Sequence, residues 1–217
     1  MILEEAEFPA QRGLSRIPKI AIIDYGIGNL FSIRCALQKA GLNAATVSNL
    51  QDMDEYDGIV LPGVGNFKSG AKNLYPLRGN ISQIVDHGVP ILGICLGMQL
   101  LFEESEESPG EGLSLLKGKV LRLPRNVKTP HMGWNNLHIL ADNDLLDGIC
   151  EKDYFYFVHS YYANPSERGT VIAETEYGIR FASVVAKRNI FGTQFHPEKS
   201  GKHGRKVLLN FARIVKR

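Results

Sequence analysis

The residue best suited to chemistry in this chain of 217 residues is Cys95, which stands between two glycines, Gly93 and Gly97, at a distance of two residues from each. This spacing after an apolar run is typical of a sharp turn from a strand into a helix. Glycines without a Cβ let the two elements approach closely and leave the central side chain accessible. Backbone N–H groups at the start of the helix stabilise negative charge on sulfur. The pattern predicts a nucleophilic cysteine; the alternative is a buried structural cysteine.

A cysteine nucleophile needs a general base, and His196 is the histidine in the most suitable setting. The residue before a proline is held in an extended conformation, so His196, which precedes Pro197, is expected at the end of a strand. Side chains two residues apart in an extended segment point to the same side, so Glu198 can reach the imidazole and orient it. These residues predict a Cys–His–Glu triad. The alternative is an ordinary exit from a strand with a surface carboxylate.

A third segment, Pro62-Gly-Val-Gly65, directly follows an apolar run at residues 57–61. Because the carboxyl ends of parallel strands meet at one edge of a sheet, we expect this loop to lie beside Cys95. The glycines on either side of Val64 leave the backbone free to turn an N–H group toward a developing oxyanion. The segment therefore predicts part of an oxyanion hole, and the alternative is a simple tight turn.

The apolar runs indicate the elements that must position these residues. In the first hundred residues, predicted strands at 19–24, 44–47, 57–61 and 91–95 alternate with a helix from Asn29 to Gly41 and helical material up to Gly88. Such alternation predicts a parallel sheet with crossover helices. Later β-type runs predict antiparallel additions and returning sheet strands at 117–123, 136–140, 154–159, 170–174, 180–187 and 190–195.

The last segment is predicted to be an amphipathic helix, with an apolar stripe of Val207, Leu208, Phe211, Ile214 and Val215. We therefore expect an α/β fold with an open, mostly parallel central sheet, helices on both faces and added antiparallel strands. Residues 1–17 show no clear period and are expected to form a loosely attached N-terminal extension. Residues 18–217 are expected to form one domain.

Composition excludes several classes of protein. Hydrophobic residues make up 44% and charged residues 22% of the chain, which are globular values, and a formal charge of +2 is too small to indicate nucleic acid as the main partner. No apolar run is long enough to cross a bilayer. Three widely spaced cysteines and an acidic N-terminus without signal-peptide features favour the cytoplasm. Metal-ligand spacings and a complete dinucleotide fingerprint are missing, so we expect no metal and no cofactor.

Four separated segments carry a resemblance to a known family: Cys95-Leu-Gly-Met-Gln-Leu-Leu-Phe, Pro130-His-Met-Gly-Trp-Asn135, Tyr156-Phe-Val-His-Ser-Tyr161 and Phe195-His-Pro-Glu-Lys-Ser200. With them the chain resembles the class I glutamine amidotransferases, and within these it is similar to the glutaminase subunits of imidazole glycerol phosphate synthase in histidine biosynthesis. The match runs from about Ile20 to the C-terminus. The sequence departs from the family in its longer N-terminal tail and in Ile27, where some members carry proline.

The resemblance implies a role for each matching residue. Cys95 would attack the side-chain carboxamide of glutamine to form a γ-glutamyl thioester. His196, oriented by Glu198, would protonate the departing ammonia and then activate water. The N–H of Leu96 and one in the loop formed by Gly63, Val64 and Gly65 would hold the oxyanion. Glu107 would bind the α-amino group of glutamine, and the backbone of residues 159–161 would face its α-carboxylate. The full set of residues implied to bind glutamine is Gly65, Gln99, Glu107, His159, Ser160 and Tyr161.

The resemblance also implies a partner. Ammonia in water at neutral pH is soon protonated, so it would pass by a closed route to a (β/α)₈-barrel cyclase bound as a heterodimer. Residues implied to contact the cyclase are Asn29, Trp134, Tyr156 and Lys199; the alternative for Trp134 is core packing. We further expect the chain alone to hydrolyse glutamine slowly, with the Val64 peptide turning its carbonyl rather than its N–H into the oxyanion site.

Three other functions stay open at this point. The chain could serve another synthase of the same family, such as that of pyridoxal phosphate, anthranilate or guanylate. It could be a cysteine hydrolase that acts on γ-glutamyl peptides. It could also be a catalytically silent module that only binds a partner, although the intact Cys95, His196 and Glu198 argue against this.

Overall fold

The computed structural model describes residues 17–49 and 55–217 of the chain. The predicted N-terminal extension at 1–17 therefore lies outside the described residues, except for the exposed Ile17.

Within the described residues, the chain forms thirteen strands and five α-helices. The strands are β1 (Lys19–Ile23), β2 (Asn43–Val47), β3 (Gly58–Gly63), β4 (Ile91–Cys95), β5 (Glu104–Ser105), β6 (Gly118–Arg122), β7 (His131–Asn136), β8 (His138–Ile139), β9 (Tyr154–His159), β10 (Tyr161–Pro165), β11 (Val171–Glu176), β12 (Arg180–Lys187) and β13 (Ile190–Thr193). The helices are α1 (Leu30–Lys39), α2 (Phe67–Leu74), α3 (Arg78–Asp86), α4 (Leu96–Gln99) and α5 (Gly201–Val215).

The central sheet has the strand order β2-β1-β3-β4-β13-β12-β11-β8. Neighbouring strands are parallel from β2 to β13 and antiparallel from β13 to β8. Two small sheets, β10-β6-β5 and β7-β9, lie apart from it. The predicted α/β fold with an open, mostly parallel sheet and added antiparallel strands is confirmed.

Helices cover both faces of this sheet. Ile20 and Ile22 of β1 share one apolar cluster with residues of α1 and α5, whereas Ala21 and Ile23 share the other cluster with residues of α2 and α3. Because the side chains of a strand alternate between its two faces, a strand buried on both faces reads as a continuous apolar run. This explains why the central strands were recognisable from sequence.

The structure differs from the predicted elements in several places. β7 and β10 were not predicted, because their sequences are polar and aromatic mixtures that become strands through pairing with β9 and β6. β3 does not stop before Pro62 but continues to Gly63, since Pro62 and Gly63 pair with Ile94 and Cys95 of β4. The strand predicted at 136–140 is reduced to β8, and β13 ends at Thr193 rather than Phe195.

The turn from β4 into α4 depends on glycine, as its spacing predicted. A Cβ added at Gly93 would lie 2.7 Å from the carbonyl oxygen of Gly97, and a Cβ added at Gly97 would overlap the carbonyl oxygen of Leu61 in β3. Distances this short are excluded for real side chains, so α4 can lie against β3 and β4 only when both positions are glycine.

Gly97→Ala is expected to lower the free energy of unfolding by about 3 kcal/mol or more, because the new methyl group meets backbone that cannot move aside. Urea unfolding followed by circular dichroism measures the change. Gly79→Ala in α3 is the matched control, since a Cβ there meets open space and alanine favours a helix; its effect is expected within about 1 kcal/mol. Equal midpoints for Gly97→Ala and wild type would contradict the close packing of α4.

Candidate active site

The three segments that were predicted to carry chemistry meet at the carboxyl edge of the parallel strands. Gly63, the last residue of β3, pairs in register with Cys95, the last residue of β4. β13 pairs with β4 on its other side and ends at Thr193, three residues before His196. The backbone N–H of His196 donates to the carbonyl oxygen of Tyr156 at 2.9 Å, which attaches this segment to β9. The oxyanion loop, the cysteine and the histidine are therefore neighbours.

Cys95 has a left-handed backbone conformation, with φ 54° and ψ −109°. Few residues other than glycine adopt this region, and it is retained where the surroundings impose it. Here β3 and β13 hold β4 from both sides, and α4 begins at the next residue, Leu96. The side chain is only 6% exposed, and its Sγ lies 3.9 Å from the carbonyl oxygen of Val158. The cysteine thus stands at a sharp strand-to-helix turn, as predicted, but the expectation that its side chain would be accessible to solvent is wrong, because the structure buries it.

His196 and Glu198 form a buried pair. The imidazole Nδ1 lies 2.8 Å from Oε1 of Glu198, and both side chains are almost wholly excluded from solvent. His196 has an extended backbone, but Pro197–Lys199 form a 3₁₀ turn, so the extended geometry predicted to bring Glu198 to the ring is wrong beyond His196. The tight turn achieves the same contact. The Nε2 of His196 and the Oε2 of Glu198 have no hydrogen-bond partner among the described residues.

The charge of His196 is set by two neighbours. Burial by itself lowers the pKa of His196, but interaction with the nearby Cys95 sulfur, together with the hydrogen bond and charge of Glu198, acts against burial and raises this pKa well above its usual value. The imidazolium form is therefore favoured at neutral pH beside the sulfur. Such a group can donate a proton to a departing amine, which is what a general acid must do.

A cavity of about 400 Å³ opens in front of Cys95. Its walls include Val64 and Leu96 of the predicted oxyanion hole, and all of the residues predicted to bind substrate: Gly65, Gln99, Glu107, His159, Ser160 and Tyr161. Glu107 is fixed by the backbone N–H of Phe67, which donates to its Oε2 at 2.6 Å. A carboxylate and a cysteine that line one cavity match a small ligand with an amino group and an electrophilic carbon.

Sequence reasoning missed two residues that contact this site. Gln194 is buried, and its Nε2 donates to Sγ of Cys95 at 3.7 Å. His131 lies in a segment that carries the family resemblance but was given no role of its own, and its Nδ1 is 3.0 Å from Nε2 of His159 in the cavity wall. Burial lowers the pKa of His131 to about 4 and, together with the neighbouring His131, that of His159 to about 3. Both rings are neutral at neutral pH. Only the fold brings Gln194 to Cys95 and His131 to His159.

Of the residues predicted to contact a partner, Tyr156 is tied to the triad, because its carbonyl oxygen accepts the N–H of His196. Trp134 is 56% exposed, so the alternative of core packing is wrong. Its ring meets Tyr156 edge-on at 5.9 Å, and Nζ of Lys199 lies 6.0 Å from the centre of the Tyr156 ring. Asn29 caps α1, its Oδ1 accepting the N–H of Ser32 at 3.1 Å. Trp134, Tyr156 and Lys199 thus form one aromatic and cationic cluster.

The rest of the described structure offers no comparable site. A second cavity of about 550 Å³ is lined by residues between Ile139 and Ile149, and no cysteine or histidine is among them. Within residues 17–49 and 55–217, no group of three or more histidine, cysteine, aspartate or glutamate side chains could hold a metal ion. In the same part of the chain no helix has the length and apolar character to span a membrane. Among the described cavities, the one at Cys95 is therefore the best candidate active site.

Comparison with known proteins agrees with this geometry. The family model for class-I glutamine amidotransferases matches residues 21–215. Imidazole glycerol phosphate synthase subunit HisH of Methanocaldococcus jannaschii is 51% identical over 197 residues, covering 90% of this chain and 100% of that protein. Subunit HisH of Methanothermobacter thermautotrophicus is 51% identical over 198 residues, covering 91% of this chain and 99% of that protein. PurLQS from Thermotoga maritima has the same fold, with a TM-score of 0.74 at 22% identity over 92% of this chain and 99% of that one. The chain belongs to the class I glutamine amidotransferases, enzymes that release ammonia from glutamine.

Proposed function

We propose that the chain is the glutaminase subunit of imidazole glycerol phosphate synthase and passes ammonia to a (β/α)₈-barrel cyclase in histidine biosynthesis. The observation that carries this proposal is the identity of about half of all aligned residues to HisH subunits, over nearly their whole length. The buried cluster of Cys95, His196 and Glu198 beside a small cavity supplies the chemistry that a glutaminase needs. The three free cysteines support a cytoplasmic location.

In this mechanism the Cys95 thiolate attacks the side-chain carboxamide carbon of glutamine. The oxygen of the carboxamide becomes an oxyanion, which the N–H of Leu96 and an N–H of the Gly63-Val64-Gly65 loop stabilise. The C–N bond then breaks, His196 gives its proton to the leaving nitrogen, and ammonia departs from a γ-glutamyl thioester. His196, now neutral, takes a proton from water, and the hydroxide cleaves the thioester into glutamate and the Cys95 thiolate. Glu198 orients the ring in both steps.

Binding of glutamine uses both ends of the cavity. Its α-ammonium group pairs with the carboxylate of Glu107, and its α-carboxylate faces the backbone of His159, Ser160 and Tyr161. Gln99 contributes an amide from α4 between these groups and the sulfur. This arrangement is supported by the lining of the cavity and by the fixed position of Glu107 against the N–H of Phe67.

The oxyanion loop is held on one side and open on the other, which supports activation by a partner. The hydroxyl of Tyr25 donates to the carbonyl oxygen of Pro62 at 2.6 Å, and Gly63 is packed tightly against Tyr25 and Leu96. Val64, in contrast, is 42% exposed, and Gly65 has φ 113° with open space around its Cα. The Val64 peptide can therefore rotate without disturbing β3. The cyclase is proposed to turn its N–H into the oxyanion site.

The surface that receives the cyclase is proposed to be the β7–β9 face with Lys199. Large apolar side chains on this face are exposed: Met132, Trp134 and Tyr154. Aromatic anchors of this kind are enriched at protein interfaces. The face is continuous with the active site, because the carbonyl of Tyr156 in β9 accepts the N–H of His196. Asn29 is included because it stands on a loop at the same edge of the sheet.

The direct test measures glutamate release by the chain with and without the cyclase and the ligand of the cyclase. The rate of glutamate release is expected to rise by a factor of about 10²–10³ in the complex, which is the effect on rate of one oxyanion-hole donor. No glutamate release in the complex would contradict the proposed function. Equal rates with and without the cyclase would contradict activation by the partner and would favour a hydrolase of γ-glutamyl peptides.

Two matched variants test the proposed interface. Trp134→Ala is expected to weaken binding of the cyclase about tenfold or more, as loss of a central aromatic anchor does. Tyr75→Ala, which also removes an exposed aromatic ring but between α2 and α3, is expected to leave binding unchanged. Calorimetric titration of each variant with the cyclase gives the dissociation constants. Wild-type affinity for Trp134→Ala would contradict this surface.

A further inference from the structure

Gln194 is a polar side chain with no exposure to solvent, and the mechanism above does not use it. It follows β13 directly, and its backbone N–H donates to the carbonyl of Ser183 at 2.8 Å. Its side chain contacts the nucleophile and also Gln99, which lines the cavity. Oε1 is 3.1 Å from Nε2 of Gln99, and Nε2 is 3.7 Å from Sγ of Cys95.

The neighbours of Gln194 fix which way its amide group points. The carbonyl of Tyr161 can only accept, so Gln99 must turn its NH₂ group toward it, and the distance is 2.8 Å. The same NH₂ group reaches Gln194, which must therefore present its carbonyl oxygen. The NH₂ group of Gln194 is then left to face the sulfur. Reversal of Gln99 would bring two acceptors together, and reversal of Gln194 would bring two NH₂ donors together, and either mismatch is costly in a buried place.

A donor on Sγ favours the thiolate over the thiol. An ionised acceptor forms the stronger hydrogen bond, and the sulfur is buried, so water cannot easily replace the donor. The other polar contact of Sγ has the opposite effect, because the carbonyl of Val158 at 3.9 Å can accept only from the thiol. Gln194 is neutral, so it stabilises the thiolate without competing with it for the imidazolium of His196.

The same contacts determine what Gln99 shows to the pocket. Its NH₂ group is occupied by Tyr161 and Gln194, so its remaining polar atom, the carbonyl oxygen, is the one available to a ligand. A second donor, Nδ1 of the neutral His159, meets the same Tyr161 carbonyl at 2.9 Å and keeps that acceptor in place. Gln99 is thus held as an acceptor for an N–H group of the bound molecule.

We propose that Gln194 is a further catalytic residue, which donates a hydrogen bond to the Cys95 sulfur and holds Gln99 with its carbonyl oxygen toward the substrate. The role in turnover rests on the proposed glutaminase function. The contact with the Cys95 sulfur does not depend on the glutaminase function, so this contact can be tested without turnover.

The test is the rate of alkylation of Cys95 by iodoacetamide in the full chain, read by peptide mass spectrometry. Gln194→Met keeps the volume and removes the donor, and its alkylation at pH 7 is expected to be about tenfold slower. Gln194→Glu keeps an acceptor for Gln99 but places a carboxylate by the sulfur, and its alkylation is expected to be about 100-fold slower. The exposed Cys150 in the same samples is the internal control and is expected to react equally in all three proteins.

The pH profile separates this role from a merely structural one. For Gln194→Met the deficit is expected to disappear at alkaline pH, where the thiol ionises without assistance; a disordered site would react abnormally at every pH. Unchanged alkylation of Cys95 at pH 7 in a folded Gln194→Met protein would overturn the proposal. If Gln194→Met does not fold, Gln194→Glu alone decides the test. Alkylation of Cys95 in Gln194→Glu at the wild-type rate would then overturn the proposal.

The two proposals fail in different ways. A wild-type complex that does not hydrolyse glutamine overturns the glutaminase function and leaves the contrast in alkylation intact. An active wild-type complex together with unchanged alkylation of the variants overturns the role of Gln194 alone.

Discussion

Cys95→Ala is expected to abolish glutamine-dependent synthesis by the complex, while synthesis from added ammonium salt continues at the wild-type rate. The substitution removes the only atom that can form the thioester, and losses of this kind in nucleophile–base sites are about 10⁴-fold or greater. The fold is expected to survive, because alanine replaces a single buried sulfur and the backbone conformation with φ 54° is imposed by β3, β4 and β13. A coupled assay of product formation with each nitrogen source makes the measurement.

Cys150→Ala is the matched control, since it removes an exposed thiol far along the chain from the site and is expected to leave both activities unchanged. Loss of the ammonia-dependent reaction in Cys95→Ala would indicate a damaged complex rather than a missing nucleophile. Glutamine use above about 1% of the wild-type rate would rule out Cys95 as the attacking group.

His196→Asn is expected to lower kcat for glutamine hydrolysis about 10³-fold, within the range for loss of a general acid–base. Asparagine keeps a polar atom near the position of Nδ1 for Glu198 but has nothing in place of Nε2, which faces the reaction. His203→Asn is the matched control, because Nδ1 of His203 likewise pairs with a carboxylate, that of Asp153, at 2.8 Å, outside the site. Steady-state rates of glutamine hydrolysis by both variants in the complex make the comparison. Equal rates for His196→Asn and His203→Asn would contradict the assigned role of His196.

The framework of the site could be predicted because it follows from local rules. Strands β1, β3 and β4 are buried on both faces and read as continuous apolar runs. Their parallel pairing then places the residues that follow them at one edge. Gly93 and Gly97 were informative for the same reason, since the close approach of α4 excludes any side chain there.

Other features depend on tertiary contacts that no local pattern records. β7 becomes a strand only by pairing with β9, so the position of His131 against His159 was not foreseeable. The contact of Glu198 with His196 was predicted from extended geometry, whereas the 3₁₀ turn Pro197–Lys199 produces it. Gln194 reads as an ordinary polar residue after a strand, and its contact with Cys95 joins positions 99 residues apart.

The central claim is that Cys95 carries a γ-glutamyl group during turnover, and acid quenching of the working complex tests it most directly. Wild-type protein mixed with glutamine and quenched within a few turnovers is digested, and the peptide that contains Cys95 is examined by mass spectrometry. We expect this peptide to gain the mass of one γ-glutamyl group, and we expect no such gain at Cys35 or Cys150 or in Cys95→Ala. Conversion of glutamine to glutamate by the same complex, with the adduct on another residue, would contradict the claim.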